Sequence, residues 1–197
     1  MSQLKLTADG GGGTVAIKGP ASTTGNAAIE LTVPGTGSST LATTATAGKV
    51  LQVVNTQTGA MSTGTTTIPN DDTIPQITEG FEVMTRTITP TNASNILLIN
   101  VVCHLSASAN SLPTTALFLG STADAIACCF THQMGGANYP KVHNFTHKMT
   151  AGSTSELTFR VRTGMNNSGT VTFNGREGSR MRGGVAASSI TIMEVAA

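Results

Sequence analysis

Histidine and cysteine are the side chains of this 197-residue chain best suited to metal binding or nucleophilic attack, and it has four histidines and three cysteines. His143 and His147 lie four residues apart, a spacing that chelates one metal ion on a helix. On a strand the same spacing separates them by about 13 Å, so one ion could not join them within a chain. A metal would need single histidines to converge from symmetry-related subunits, with His104, His132, His143 and His147 as the candidates. We expect surface or interface histidines instead, and no metal.

The sequence offers no convincing set of catalytic side chains. A hydrolase needs a nucleophile, a base and an orienting acid, and Asp124 is the only acid near Cys128 and Cys129. A glycan-cleaving site needs two carboxylates on either side of a bond, yet most of the ten acids fall in predicted turns or on exposed strand faces. Asp71 and Asp72 diverge on an extended backbone and predict a solvated turn. We therefore expect no catalytic residue, no cofactor and no enzyme activity.

The three cysteines make a poor disulfide framework, because their number is odd and two of them are adjacent. Neighbouring side chains on a strand point to opposite faces, so Cys128 and Cys129 cannot act together. We expect Cys128 and Cys129 to be free thiols buried in a packed sheet.

One Gly-rich segment, residues 131–140, is the best candidate for contact with a receptor. It holds the only tyrosine of the chain together with several amide side chains. An aromatic ring could stack on a sugar while the amides bond its hydroxyls. The predicted receptor contacts, with a host-surface glycan as the partner, are His132, Gln133, Asn138 and Tyr139.

The densest charge in the chain lies near its end, in Arg176, Arg180 and Arg182 with Glu177 between them. Such a cluster could hold an acidic glycan or the carboxylates of a partner. The simpler interpretation, which we favour, is a solvated loop with a local Arg–Glu pair.

Composition divides the chain near residue 80, because no Phe, Tyr or Trp precedes Phe81. The segment before it consists mainly of Gly, Thr, Ala and Ser, and can bury little core of its own. We predict an extended β arm at residues 1–60, a linker at 61–75 and a β head at 76–197. The arm would attach to another protein or wind with its copies, and the alternative is a flexible linker. The predicted attachment residues are Leu4, Leu6, Val15 and Ile17.

Charge is sparse, at 11% of residues against about 25% in ordinary soluble domains. The net charge of +1 indicates neither a nucleic-acid partner nor a membrane-surface partner. We expect no signal peptide and no transmembrane helix, because the N-terminus has no apolar run and no stretch of about 18 apolar residues occurs. Assembly in a host cytoplasm follows as an expectation. The low charge also indicates that much surface is buried between subunits.

The head alternates in the manner of a β-sandwich, and one of its strands is apolar on both faces. Leu97, Ile99, Val101, Cys103 and Leu105 form one face. The other face is also largely apolar, so one face would line the core and the second a subunit interface. We predict an all-β fold with a jelly-roll-like C-terminal sandwich, in the style of a TNF or C1q trimer. The predicted interface residues are Ile96, Leu98, Asn100, Val102 and His104.

Several segments resemble a family of tailed-phage virion proteins, common in marine phages and often described as tail fibre or virion structural proteins. The resemblance rests on Ile77-Thr-Glu-Gly-Phe-Glu-Val-Met, Ile88-Thr-Pro, Asn95-Ile-Leu-Leu-Ile, Met149-Thr-Ala-Gly-Ser-Thr-Ser, Phe173-Asn-Gly and Ala187-Ser-Ser-Ile-Thr-Ile-Met-Glu. Leu4-Lys-Leu-Thr-Ala-Asp-Gly-Gly-Gly-Gly-Thr-Val, with Gly19-Pro-Ala-Ser, resembles an adaptor at the start of many such proteins. The resemblance implies a homotrimeric head-and-stalk component of the virion, without catalysis, that contacts other virion proteins through its arm.

Two other functions remain open from the sequence. One is a capsid decoration or head-fibre protein that cements the shell and binds no receptor. The other is a lectin-like carbohydrate-binding module outside any virion.

Overall fold

The computed structural model describes the backbone of two N-terminal strands, and residues 50–132 and 136–197 in full. The N-terminal strands, β1 (Gln3–Thr7) and β2 (Thr14–Lys18), form an antiparallel hairpin. Leu4 lies opposite Ile17, and Leu6 lies opposite Val15. The four predicted attachment residues therefore occupy two rungs of one hairpin, within a compact unit that spans Met1–Thr46.

The second compact unit, Ala47–Ala197, is the head. No α-helix occurs in its described residues, and a single 3-10 turn lies at Arg182–Gly184. No helix in the described residues has the length and apolarity needed to cross a membrane. The strands are β3 (Val50–Thr58), β4 (Ser62–Gly64), β5 (Phe81–Ile88), β6 (Ile96–Ala107), β7 (Pro113–Leu119), β8 (Ala127–Phe130), β9 (Lys141–Thr150), β10 (Leu157–Met165), β11 (Val171–Phe173), β12 (Gly175–Arg176), β13 (Ser179–Arg180) and β14 (Ser188–Val195).

Two antiparallel sheets form the head. The first has the order β3-β14-β6-β9, with β11 and β4 continuing it beside the end of β6, and the second has the order β5-β10-β7-β8. Numbered along the chain, the eight main strands pair as 1-8-3-6 and 2-7-4-5. This is the strand order of a jelly roll. The structure therefore confirms the predicted all-β fold and its jelly-roll sandwich.

The core lies between the two sheets, and strand β6 shows why. Its odd-numbered residues from Leu97 to Leu105 are 0–1% exposed, whereas its even-numbered residues from Ile96 to His104 are half-buried. Strand β10 faces them with Phe159 and Val161, which are also fully buried. Burial of each such side chain stabilises the fold by about 1.5–3 kcal/mol, so the period-2 pattern decides which face of the strand points inward.

The head begins before residue 76. Two strands that fall in the predicted arm and linker form hydrogen-bonded pairs with strands of the head. Strand β3 pairs with β14 from Val50 to Thr58, and β4 pairs with β11. The segment after β4 crosses strand β10, where the backbone N–H of Ile68 donates to the Met165 carbonyl at 3.0 Å. Gly164 permits this crossing, since a Cβ there would lie 2.8 Å from the Ile68 side chain.

A buried carboxylate ties the last strand to its surroundings. Glu194 is fully buried and accepts hydrogen bonds from Gln52 Nε2 and Asn95 Nδ2, both at 2.6 Å, and from the backbone N and Oγ1 of Thr91, both at 2.8 Å. Burial acts to raise the pKa of Glu194, but the bonds from Asn95, Gln52 and Thr91 outweigh it and lower the pKa to about 2. The charged carboxylate thus joins β14, β3 and the loop between β5 and β6.

We expect Glu194→Gln to lower the free energy of unfolding at pH 7 by about 2–3 kcal/mol, because an amide presents its own N–H groups to donors. The measurement is urea denaturation at one fixed protein concentration. The folded pKa is depressed, so this contribution is present above pH 4.5 and is lost as pH falls towards 2. The gap between wild type and variant should close over that range.

Glu156→Gln is the matched control, since Glu156 is exposed at the start of β10. It should change stability by less than about 0.5 kcal/mol. Equal stability of Glu194→Gln and wild type at pH 7 would contradict the role given to the carboxylate.

Candidate oligomer interface

The five residues predicted to form an interface lie in line along the outer face of β6. Ile96, Leu98, Asn100, Val102 and His104 alternate with the core residues, and each is half-buried. Strands β14 and β3 flank β6 on one side and β9 on the other. The structure therefore places the predicted residues in the middle of a four-stranded surface, and their role as an interface stays a prediction.

One half of this surface is apolar. Met193 lies opposite Leu98 on β6 and opposite Val53 on β3, while Val195 lies opposite Ile96. Val53 is 56% exposed, and none of the five belongs to the core between the sheets. We call this set the apolar band: Val53, Ile96, Leu98, Met193 and Val195. Val53 is exposed, the other four are half-buried, and Lys148 on β9 lies opposite Leu98. An apolar strip with a charged residue at its edge suits a protein–protein contact.

The other half of the surface carries amides and hydroxyls. Asn100 Nδ2 donates to Asn144 Oδ1 and to Thr146 Oγ1, both at 3.1 Å, and Asn55 Nδ2 donates to Thr191 Oγ1 at 2.8 Å. We call this set the amide band: Asn55, Asn100, Asn144, Thr146 and Thr191. Its hydrogen bonds hold the side chains flat across neighbouring strands, and they leave further donors and acceptors that a second copy can meet.

Sequence reasoning found the β6 residues of this surface and missed its members on β3 and β14. Val53 falls within the predicted arm at residues 1–60, and Met193 and Val195 fall within the predicted head but outside its predicted interface residues. The alternation of the last strand is the available signal, since Met193 lies between the buried Ile192 and Glu194, and Val195 follows Glu194. The pairing of Val53 with Met193 joins residues 140 positions apart, which no local pattern specifies.

The predicted receptor loop is only partly described, and Gln133 lies outside the described residues. His132 is exposed just after β8, and Tyr139 is 55% exposed. Asn138 has a positive φ of 64°, and its backbone N–H donates to the Ala107 carbonyl at 2.7 Å. Asn138 and Tyr139 therefore stand together at the surface beside the end of β6.

The Arg cluster forms the predicted local pair, but the expectation of surface or interface histidines is wrong for His143. His143 is fully buried on β9, whereas His147 is half-buried. In residues 50–132 and 136–197, no group of three His, Cys, Asp or Glu side chains is placed to hold a metal ion. Arg176 Nη2 lies 3.1 Å from Glu177 Oε1, which is the local Arg–Glu pair favoured from the sequence.

The cysteines differ from one another in exposure. Cys103 is buried, and burial raises the pKa of its thiol to about 12 although a bond with Thr115 opposes the shift. Cys129 is half-buried, and burial raises the pKa of its thiol as well. Cys128 is exposed, so the prediction of a buried thiol is wrong there. The reason is that β8 is a short edge strand, which leaves the outward side chain uncovered.

His143 is held in the core by two hydroxyls. Its Nδ1 lies 2.8 Å from Thr115 Oγ1 and its Nε2 lies 3.0 Å from Thr131 Oγ1. Burial lowers the pKa of His143 from 6.5 to about 4, so the ring is neutral at pH 7. A neutral imidazole both donates and accepts, which two hydroxyl partners can satisfy.

We expect acidification from pH 7 to pH 5 to cost about 2 kcal/mol of stability through His143, because the unfolded chain takes up a proton that the folded chain excludes. The folded pKa is lowered, so the stabilisation is present above pH 6.5 and is lost as pH falls to 4. Urea denaturation across this range measures the loss. His143→Gln should flatten the dependence, whereas His132→Gln, at an exposed position, should leave it unchanged. An equal slope in His143→Gln and wild type would contradict the assignment.

Comparison with known proteins matches this chain to one family and to several solved structures. The family model described as the Pgp3 C-terminal domain matches residues 55–197. No curated protein matches the chain. The solved structure of Eiger TNF from S. frugiperda is 10% identical, covering 73% of this chain and 93% of that chain, with a TM-score of 0.41. A structure of infectious bursal disease virus, Gx strain, is 12% identical, covering 75% of this chain and 38% of that chain, with a TM-score of 0.33. The resemblance to phage virion proteins stays a prediction beside these matches.

Proposed function

The chain belongs to the Pgp3 C-terminal domain family, and we propose that it is a non-enzymatic structural protein whose head self-associates through the outer face of its first sheet. The observation that carries this proposal is the apolar band. The odd-numbered face of β6 is buried in the core. On its other face Leu98 pairs with Met193 on β14, and beyond Met193 lies Val53 on β3, which is 56% exposed. A second copy would remove this surface from water.

The proposed assembly is a homotrimer within a virion. The trimer and the virion both rest on the resemblance to head-and-stalk phage proteins. The β1–β2 hairpin supports a separate role for the N-terminus, because it places four apolar residues on two adjacent rungs of one pair of strands. Leu4, Leu6, Val15 and Ile17 on that hairpin would contact other virion proteins in a tail fibre or spike. The same anchor would serve a capsid decoration protein.

Self-association is tested by the light-scattering mass of the full chain. We expect wild type at three times 20.0 kDa. Leu98→Asp should give the mass of a single chain with its β-sheet circular dichroism retained, because an unpaired carboxylate in the contact costs several kcal/mol. Phe130→Asp is the matched control, since Phe130 is 61% exposed on an edge strand of the second sheet, and it should leave the mass unchanged.

Each result has a definite meaning for the assembly. A single-chain mass for wild type would contradict self-association, and a mass of two chains would contradict the trimer. A three-chain mass retained in Leu98→Asp would show that the apolar band is not the contact, and loss of association in Phe130→Asp alone would place the contact on the second sheet.

The position on the virion is tested by immunogold electron microscopy with an antibody against the head. We expect gold on the tails of particles from the source culture, because the arm would anchor the chain in a fibre. Gold on the capsid would establish the decoration protein instead. Particles without gold would contradict the virion assignment, and a lectin-like module would then account for a soluble head.

A further inference from the structure

An open polar depression of about 420 Å³ lies at the end of β6 far from the apolar band. Its walls come from β4, from β11, from the β12–β13 turn and from the loops that follow β6 and β8. Among the described residues, its lining carries four hydroxyls, one amide and one carboxylate. The lining residues are Thr63, Ser108, Asn138, Thr170, Thr172 and Glu177, with Gly178.

Two of the hydroxyls accept backbone N–H groups, and of these residues Ser108 is exposed whereas Thr172 is only 2% exposed. Ser108 Oγ accepts the backbone N–H of Thr170 at 2.8 Å, and Thr172 Oγ1 accepts the backbone N–H of Gly178 at 3.0 Å. A hydroxyl that accepts in this way keeps its own proton to donate. Thr172 is also held in the sheet, where it lies between Thr63 on β4 and Ser106 on β6. These groups are therefore in place before any ligand arrives.

The Glu177 carboxylate lies on a turn whose backbone conformation favours a residue other than Glu. Glu177 and Gly178 join β12 to β13 with φ values of 54° and 73°, the two positive angles of a type I′ hairpin turn. Asn, Asp and Gly are favoured at the first of these positions, so Glu carries a backbone cost there. Residues in costly conformations cluster at functional sites. Arg176 pairs with Glu177 Oε1, and Oε2 remains to accept a bond from a ligand.

We propose that this depression binds a neutral saccharide. Sugar hydroxyls both donate and accept, so they can donate to the Glu177 carboxylate and to Asn138 Oδ1 while they accept from Ser108. Among the described residues the lining contains no Lys or Arg, and the nearby Arg176 is paired with Glu177, so the lining offers no free cation to phosphate, sulfate or an acidic sugar. A single carboxylate is also a poor ligand set for Ca²⁺. The volume lies within the range of small-molecule sites.

Two neighbours of the depression fit this ligand. Tyr139 follows Asn138 and is 55% exposed, so its ring can stack on a second sugar ring outside the depression. Leu98 and Ser108 are ten residues apart, which is about 33 Å along an extended chain. A contact between copies through the apolar band would therefore leave the saccharide site accessible. The saccharide site does not depend on the virion assignment.

The test is saturation-transfer NMR on the full chain with glucose, galactose, mannose and N-acetylglucosamine, and with sialic acid as the charged comparison. We expect transfer to at least one neutral sugar and none to sialic acid. Glu177→Asn should weaken that sugar's binding at least tenfold while the melting temperature stays equal or rises, because Asn suits the positive φ better than Glu. Asp72→Asn removes an exposed carboxylate elsewhere and should change neither quantity.

Three results would overturn the saccharide site: no transfer to any neutral sugar, binding by Glu177→Asn equal to wild type, or stronger binding of sialic acid. A fall in melting temperature that parallels the loss of binding would assign Glu177 a structural role instead. Light-scattering mass measured on the same samples separates this question from self-association. A trimer without sugar binding would refute only the saccharide site, and a single chain that binds sugar would refute only the assembly.

Discussion

The structure depends on which of the two faces of β6 is buried. This strand pairs with β14 and β11 on one side and with β9 on the other, so a slip of one residue would reverse every side chain in the centre of the sheet. Hydrophobicity alone separates the two faces poorly, because both are largely apolar. The polar residues decide, since Asn100 and His104 fall on the face that remains half-exposed. Burial of the Asn100 amide or the His104 imidazole without hydrogen-bond partners would cost more free energy than the burial of one further methyl group would gain.

Two buried polar groups then lock the strands beside β6, and they do so by opposite means. His143 on β9 stays neutral between two hydroxyls, while Glu194 on β14 stays charged under four hydrogen bonds. Neither solution involves an ion pair. Each group is satisfied by partners from other strands or loops, so the hydrogen bonds exist only when the register is correct. Apolar burial supplies most of the stability of the sandwich, and these polar groups select one arrangement of it.

The sequence allowed the fold class and the two faces of β6 to be predicted, because alternation is a local property of the chain. Strand β3 falls within the predicted arm for a physical reason. It is an edge strand, half of it is exposed, and it has no aromatic residue, so a boundary drawn from aromatic content leaves it outside the head. Its place is fixed by pairing with β14, more than 130 residues later. The polar depression was also beyond local reasoning, since five separate segments supply its walls. Two lining residues give a local sign: Asn138, which is a predicted receptor contact, and Glu177, which precedes Gly178 in a tight turn.

The long axis of β6 gives the head two chemically different ends. Near Leu98 the surface is apolar and flat, which suits a contact that excludes water over a broad area. Near Ser108 it is concave and rich in hydroxyls, which suits a small ligand held by directed hydrogen bonds. A head that used one end for assembly and the other for recognition would hold several equivalent saccharide sites at fixed spacing. Weak sugar binding at each site would then add through multivalency, because the effective concentration for the second contact is set by the assembly and not by the free ligand. The apolar band and the depression would in this way make one function from two separate surfaces.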